Sequence, residues 1–169
     1  MSRRHAAKKK VVLPDLKYSS VLLSKFINNI MEDGKKLLAQ KIVYGAFDKL
    51  EKKYQLNPYE SFKNAVSNVA PQVEVTSVRV GGANYQVPSP VEEVRSNVLA
   101  FRWIIDAALK RSERTMIDKL AEELKAADGN TPCGSIKKRD DTHRMAEANK
   151  AFAHFAARRS QNKTAENLN

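Results

Sequence analysis

From Ser19 onward, apolar residues return in adjacent pairs at helical spacing. Leu22, Leu23, Phe26, Ile27, Ile30 and Met31 line one face of a helix. Ser19 or Ser20 is placed to cap it, and Gly34 to stop it. Leu37, Leu38, Ile42, Val43, Ala46, Phe47, Leu50 and Tyr54 define a second helix at once. Asn57-Pro58-Tyr59-Glu60 then opens a third, with Asn as cap, Pro in the first helical position and Glu three residues after the cap. Tyr59, Phe62, Val66 and Val69 line it, and Pro71 ends it.

The period changes between Gln72 and Val80. Val73, Val75, Val78 and Val80 are β-branched and mostly alternate, with a one-residue slip that predicts a bulge. Gly81-Gly82 marks a turn, and Tyr85-Gln86-Val87 forms a short return strand closed by Pro88. Ser89-Pro90-Val91-Glu92 repeats the capping pattern, and a fourth helix runs to about Lys110 with Trp103 as a core anchor. A fifth starts near Thr115. After the loop 128–134 a sixth covers roughly 136–158, with Met145, Ala148, Phe152 and Phe155 on one stripe.

The expected fold class is all-α: a six-helix domain with an inserted extended β-hairpin arm over 72–88. A basic extended N-terminal arm (1–18) precedes the helical domain (19–158), and a polar tail (159–169) follows it. A lone hairpin is marginal in water, so it must either fold back on the helices or be held by a partner. Val78 and Val80 near its tip have no obvious core of their own.

Charge gives this architecture a direction. The chain of 169 residues has a formal net charge of +11, concentrated at its ends: residues 1–17 carry +5 and residues 137–169 carry +4. A nearly neutral body with two cationic ends is the electrostatic outline of a polyanion binder. No apolar run approaches the length of a membrane span, and Met1 to Lys10 lacks the apolar stretch of a signal peptide. Cys133 is the single cysteine, which excludes an internal disulfide and reads as an inert loop thiol in a reducing compartment.

Catalytic chemistry finds no footing. His143 and His154 stand eleven residues apart on one predicted helix, about 16 Å, too far to share a metal. No HExxH, CxxC or phosphate-binding glycine loop occurs. Glu92-Glu93 and Glu122-Glu123 read as solvated faces or partners of nearby lysines. The expectation is a binding protein, not an enzyme, with no cofactor or metal.

The candidate RNA contacts fall in clusters. Arg3, Arg4, Lys8, Lys9 and Lys10 form an arm that either solubilises the chain or orders on phosphate. Lys35 and Lys36 follow Gly34 at a helix start. Arg79, Gly81, Gly82, Asn84, Tyr85 and Gln86 surround the hairpin turn, where glycines permit close backbone approach and Tyr offers stacking. Arg95, Arg102, Lys110 and Arg111 make a basic face that is either solvated or bound to RNA. Lys137, Lys138, Arg139 and Arg144 crowd the start of the last helix, where the helix dipole repels them unless an anion is present.

Several of these segments resemble the bacterial small-subunit ribosomal protein seven family. They are Met31-Glu32-Asp33-Gly34-Lys35-Lys36, Lys41-Ile42-Val43-Tyr44, Val73-Glu74-Val75 through Arg79-Val80-Gly81-Gly82, and Tyr85-Gln86-Val87-Pro88. To these are added Leu13-Pro14-Asp15, Leu99-Ala100-Phe101-Arg102-Trp103, and the run from Lys137 to Phe155 with His143-Arg144-Met145-Ala146-Glu147-Ala148-Asn149-Lys150. The resemblance covers nearly the whole chain, in order. It implies a primary binder of 16S rRNA that nucleates the head of the small subunit. It also implies a place near the exit-site tRNA and mRNA, with Arg79, Asn84, Lys150 and Arg158 on that side, and small-subunit proteins nine and eleven as neighbours. No membrane partner and no obligate homo-oligomer are implied. The stretch from Ser89 to Asn97 departs from the family by carrying Glu92, Glu93 and only Arg95, which implies weaker RNA contact there. A helical DNA-binding regulator and a protein–protein scaffold using the Met/Phe stripe are the competing readings.

If 6–10 phosphates are engaged, log K for RNA should fall against log salt with a slope of roughly −4 to −9. Filter binding across a salt series checks this, and affinity that ignores a several-fold rise in salt contradicts it.

Overall fold

In the computed structural model, which describes residues 11–155, six helices surround one apolar core and a two-stranded hairpin is inserted after the third. The helices are α1 (Val21–Ile30), α2 (Lys36–Tyr54), α3 (Pro58–Val69), α4 (Glu93–Leu109), α5 (Met116–Asp128) and α6 (Gly134–Ala148). Strands β1 (Val73–Val80) and β2 (Ala83–Pro90) form the hairpin, and a single 3-10 turn (Lys150–Phe152) follows α6. Arg3, Arg4, Lys8, Lys9, Lys10 and Arg158 lie outside the described residues.

Helix starts follow local chemistry in two cases and not in two others. The Ser20 hydroxyl accepts from the Leu23 amide, and the Thr115 hydroxyl from the Asp118 amide. Asn57 precedes Pro58 as expected but makes no side-chain cap. The expected Ser89 cap is overturned: Ser89 lies inside β2, and Glu92 precedes α4 without a capping bond. Proline at 88 and 90 does not stop β2, because each ring sits on an edge of a two-stranded sheet where no third strand requires its N–H.

Four phenylalanines, Phe26, Phe47, Phe62 and Phe101, are fully buried at the centre. Phe26 stands 5.0 Å from Phe62 and 5.4 Å from Phe101, ring centre to ring centre. With Phe47, 5.8 Å from Phe62, these contacts tie α1, α2, α3 and α4 together by edge and tilted packing. Gly45 lets α5 approach α2, since a Cβ there would lie 2.9 Å from the Ile117 side chain. The segment before α1 is anchored. Asp15, 5% exposed, accepts from the amides of Lys17 and Tyr18 and from the Tyr44 hydroxyl at 2.6 Å. Burial and this carboxylate push the Tyr44 phenol up to about 12. Tyr18 then packs between Phe47 and Tyr59.

The predicted helix over 136–158 is shorter than expected. α6 ends at Ala148, and Asn149 leads into the 3-10 turn. His143 and His154 therefore stand on different elements. The predicted bulge is also absent: β1 and β2 pair without interruption from Val73 opposite Pro90 to Val80 opposite Ala83. The valine slip instead marks a change of face. Val73 and Val75 share one face of the hairpin, whereas Val78 and Val80 share the other with Tyr85 and Val87.

Glu123 overturns its expected role as a solvated acid. It is 1% exposed; Oε2 accepts from Arg111 Nε at 2.7 Å, and Oε1 accepts from the Ser135 amide at 3.0 Å and hydroxyl at 2.6 Å. Burial alone would raise this carboxyl, but the bonds from Ser135 and Arg111 outweigh it and hold the group below the usual carboxylate range. Glu122, its neighbour, behaves as expected and pairs with Lys53 at 2.7 Å.

Glu123→Ala should destabilise the protein by about 3 kcal/mol, because it removes the closest partner of Arg111 and leaves the buried amide and hydroxyl of Ser135, in the first turn of α6, without their acceptor. Glu123 contributes fully above the unfolded carboxyl value of about 4.3, and its contribution fades as pH falls through the lower native value. The stability gap between wild type and Glu123→Gln, measured by urea unfolding, should therefore be constant above pH 5 and shrink in acid.

Candidate nucleic-acid interface

The hairpin turn is a two-residue connection in which Gly81 (φ +57°) and Gly82 (φ +89°) both adopt left-handed conformations. Such a turn matches the twist of the flanking strands, and glycine enters it without steric cost. Nothing lies within 4 Å of where a Cβ would project from either glycine, so the turn stands in the open.

Strand pairing sorts the hairpin residues onto two faces. Arg79 lies opposite Asn84, and Ser77 opposite Gln86, so these four exposed polar side chains share one face. Val78 lies opposite Tyr85, and Thr76 opposite Val87, on the other face. There the C-terminal turn packs: the Tyr85 ring stands 5.3 Å from Phe152 and 5.2 Å from Phe155. α6 also packs against β1, and the Gln72 amide donates to Nε2 of His143 at 3.2 Å. The hairpin is thus braced along one side by its own chain. Tyr85, expected to stack on RNA, already packs at a tilt against two phenylalanines, while Arg79 and Asn84 face outward.

The remaining candidates divide by what holds them. Lys35 precedes the first turn of α2 and Lys36 opens it, both exposed. α1 stops at Ile30, ahead of the Gly34 stop expected for it, and Gly34 (φ +74°) serves the turn between the two helices, where Lys35 pairs with Asp33 at 3.3 Å. Arg95 on α4 pairs with Glu74 of β1 at 3.4 Å, and Arg144 with Asp141 at 3.7 Å. Arg111 is turned inward to Glu123 and Glu113. Arg139 donates to the Asn68 carbonyl and pairs with Asp140 at 2.7 Å, which fastens α6 to α3. Arg79, Arg102, Lys110, Lys137, Lys138 and Lys150 are exposed and pair with no carboxylate among the described residues.

The anion at the start of α6, which the cationic first turn called for, is Glu123. No separation in sequence reveals this, since the acid sits on α5 twelve residues earlier. Burial pushes the Cys133 thiol up, in keeping with an inert cysteine. No cluster of side chains suited to a metal ion occurs among the described residues, and no helix among them is long and apolar enough to cross a membrane.

Residues 2–150 match the family model described as ribosomal protein S7p/S5e. The chain belongs to this family. It is 66% identical over 161 residues to the small ribosomal subunit protein uS7 of Rickettsia bellii, covering 95% of this chain and 98% of that one. The uS7 proteins of Rickettsia massiliae and Rickettsia akari are each 65% identical, over 94% and 95% of this chain. Membership makes the chain a structural, RNA-binding protein of translation. The family expected from Met31-Glu32-Asp33-Gly34 and the other segments is the family found.

Tyr85→Ala should free the segment 149–155 from β2 while leaving the four-phenylalanine core intact. Limited proteolysis should then cut this segment several-fold faster with little change in Tm, and Tyr85→Phe should behave as wild type.

Proposed function

We propose that this S7-family protein binds 16S rRNA directly, as a primary binder that nucleates assembly of the small-subunit head. The observation that carries the reading is the distribution of cations. On the seam between α2 and α5, Lys49 pairs with Asp118 and Lys53 with Glu122. On the hairpin, on α4 and its C-cap, and on the first two turns of α6, Arg79, Arg102, Lys110, Lys137 and Lys138 are left without acidic partners among the described residues. Unpaired lysines and arginines on rigid elements are the groups that release counterions on binding a folded RNA. The N-terminal cations Arg3, Arg4, Lys8, Lys9 and Lys10 add to this charge.

The outward polar face of the hairpin, with Arg79, Asn84 and the open glycine turn, supports contact with a nearby tRNA or mRNA at the exit site, together with Lys150 and Arg158. Small-subunit proteins nine and eleven are the expected protein neighbours. The geometry does not favour the rivals. α2 follows a tight corner, but it buries its apolar stripe and pairs two of its lysines, so it makes a poor recognition helix for duplex DNA. The Met/Phe stripe is divided: Phe152 and Phe155 pack on Tyr85, while Met145 and Ala148 are left exposed.

Nuclease footprinting of the full chain on 16S rRNA tests the reading. Protection should concentrate in the head region and be displaced by structured rRNA but not by duplex DNA. Protection scattered over all domains of the rRNA, or competed equally by duplex DNA, would overturn it.

A further inference from the structure

Trp103 reads in sequence as a core anchor. In the structure it is half-buried: one side rests against the core, and the rest lines a groove of about 510 Å³ between α4 and α6. Lys110, Lys137 and Lys138 line the same groove, with Asp106 beside them. Its floor is made of small residues. A Cβ on Gly134 would lie 2.9 Å from the Ala107 Cβ, so α6 rests on α4 as closely as its backbone allows.

None of these groups is engaged elsewhere among the described residues. The Trp103 indole N–H has no hydrogen-bond acceptor, and the three lysines and Asp106 have no ionic partner. The start of α6 contributes little on its own, because Glu123 already accepts from the Ser135 amide.

The combination narrows the ligand. A bare phosphate uses the lysines, gains nothing from an indole and is repelled by Asp106. An acidic peptide leaves the ring unused in the same way. A nucleotide uses all three: its base stacks on an aromatic surface, its phosphates meet the ammonium groups, and its 2′-hydroxyl or exocyclic amine donates to the carboxylate. The volume falls in the range of clefts that take such molecules, about 300–1,000 Å³. We propose that the α4–α6 groove holds one unpaired ribonucleotide of the bound RNA, stacked on Trp103. This rests on the rRNA-binding reading above and assigns it a specific seat for a base.

Trp103 is the only tryptophan in the chain, so its emission reports on the groove alone. The full chain is titrated at low salt with a 16S rRNA head fragment, while filter retention measures binding independently. At saturation the emission should fall about two-fold or more and become resistant to acrylamide. Trp103→Phe should bind within about two-fold of wild type. Trp103→Leu, which keeps an apolar side chain against the core, should bind about five-fold weaker or worse at unchanged Tm. Lys137→Gln with Lys138→Gln should weaken retention about ten-fold and leave the free protein's emission unchanged. RNA retained on the filter with emission and acrylamide quenching unchanged would overturn the groove and leave the rRNA reading standing. Failure of the head fragment to be retained at all would remove both.

Discussion

The buried carboxylate of Glu123 is the joint on which the candidate RNA surface depends. It lies on α5, yet it accepts from the first turn of α6 and from Arg111, just beyond α4. Three elements that share the apolar core, and that approach closely where Gly134 meets Ala107, meet at one charged hydrogen-bonded node. A buried charge is costly unless its lone pairs are filled, and here both oxygens accept from donors. The same carboxylate offsets the dipole of a helix whose first two turns carry Lys137, Lys138 and Arg139. Without an internal anion, those cations would crowd a helix end that repels them.

The hairpin solves a different problem with the same economy. Two strands alone are marginal, so one face is covered by Phe152 and Phe155, while the other is polar and open toward the turn. Strand alternation makes the division strict: residues that are neighbours in sequence, such as Asn84 and Tyr85, must serve opposite faces. Near the turn the outward side can therefore carry Arg79 and Asn84 while Val78 and Val80 face the other way.

Much of the architecture follows from short-range pattern. The paired apolar repeats of Leu22 to Met31, the Pro58 helix start and the Gly81-Gly82 turn each depend on residues within a few positions, and all appear where the pattern puts them. What sequence alone missed depends on distant partners. The valine slip looked like a bulge because a change of covered face and an inserted residue leave the same local trace. The pattern carries the last helix too far because Phe152 and Phe155, after Asn149, are apolar at helical spacing, although their partner is Tyr85 on β2. Arg111 and Arg139 looked like phosphate ligands because a basic side chain gives no sign of whether an acid or carbonyl waits for it across the fold. Trp103 looked like core because tryptophan usually is; its half-open position depends on how closely Gly134 brings α6 to α4.

The clasp on Tyr85 also bears on how the molecule is made. Phe152 and Phe155 are synthesised well after the strands they cover, near the end of the chain. During translation the core helices can collapse as they emerge, but the middle β-ribbon has no aromatic cover until the final stretch has left the exit tunnel. A message truncated shortly before codon 150 would thus yield a product with its interior intact and a two-stranded flap held by α6 but lacking its aromatic cover, a form more open to quality-control proteases.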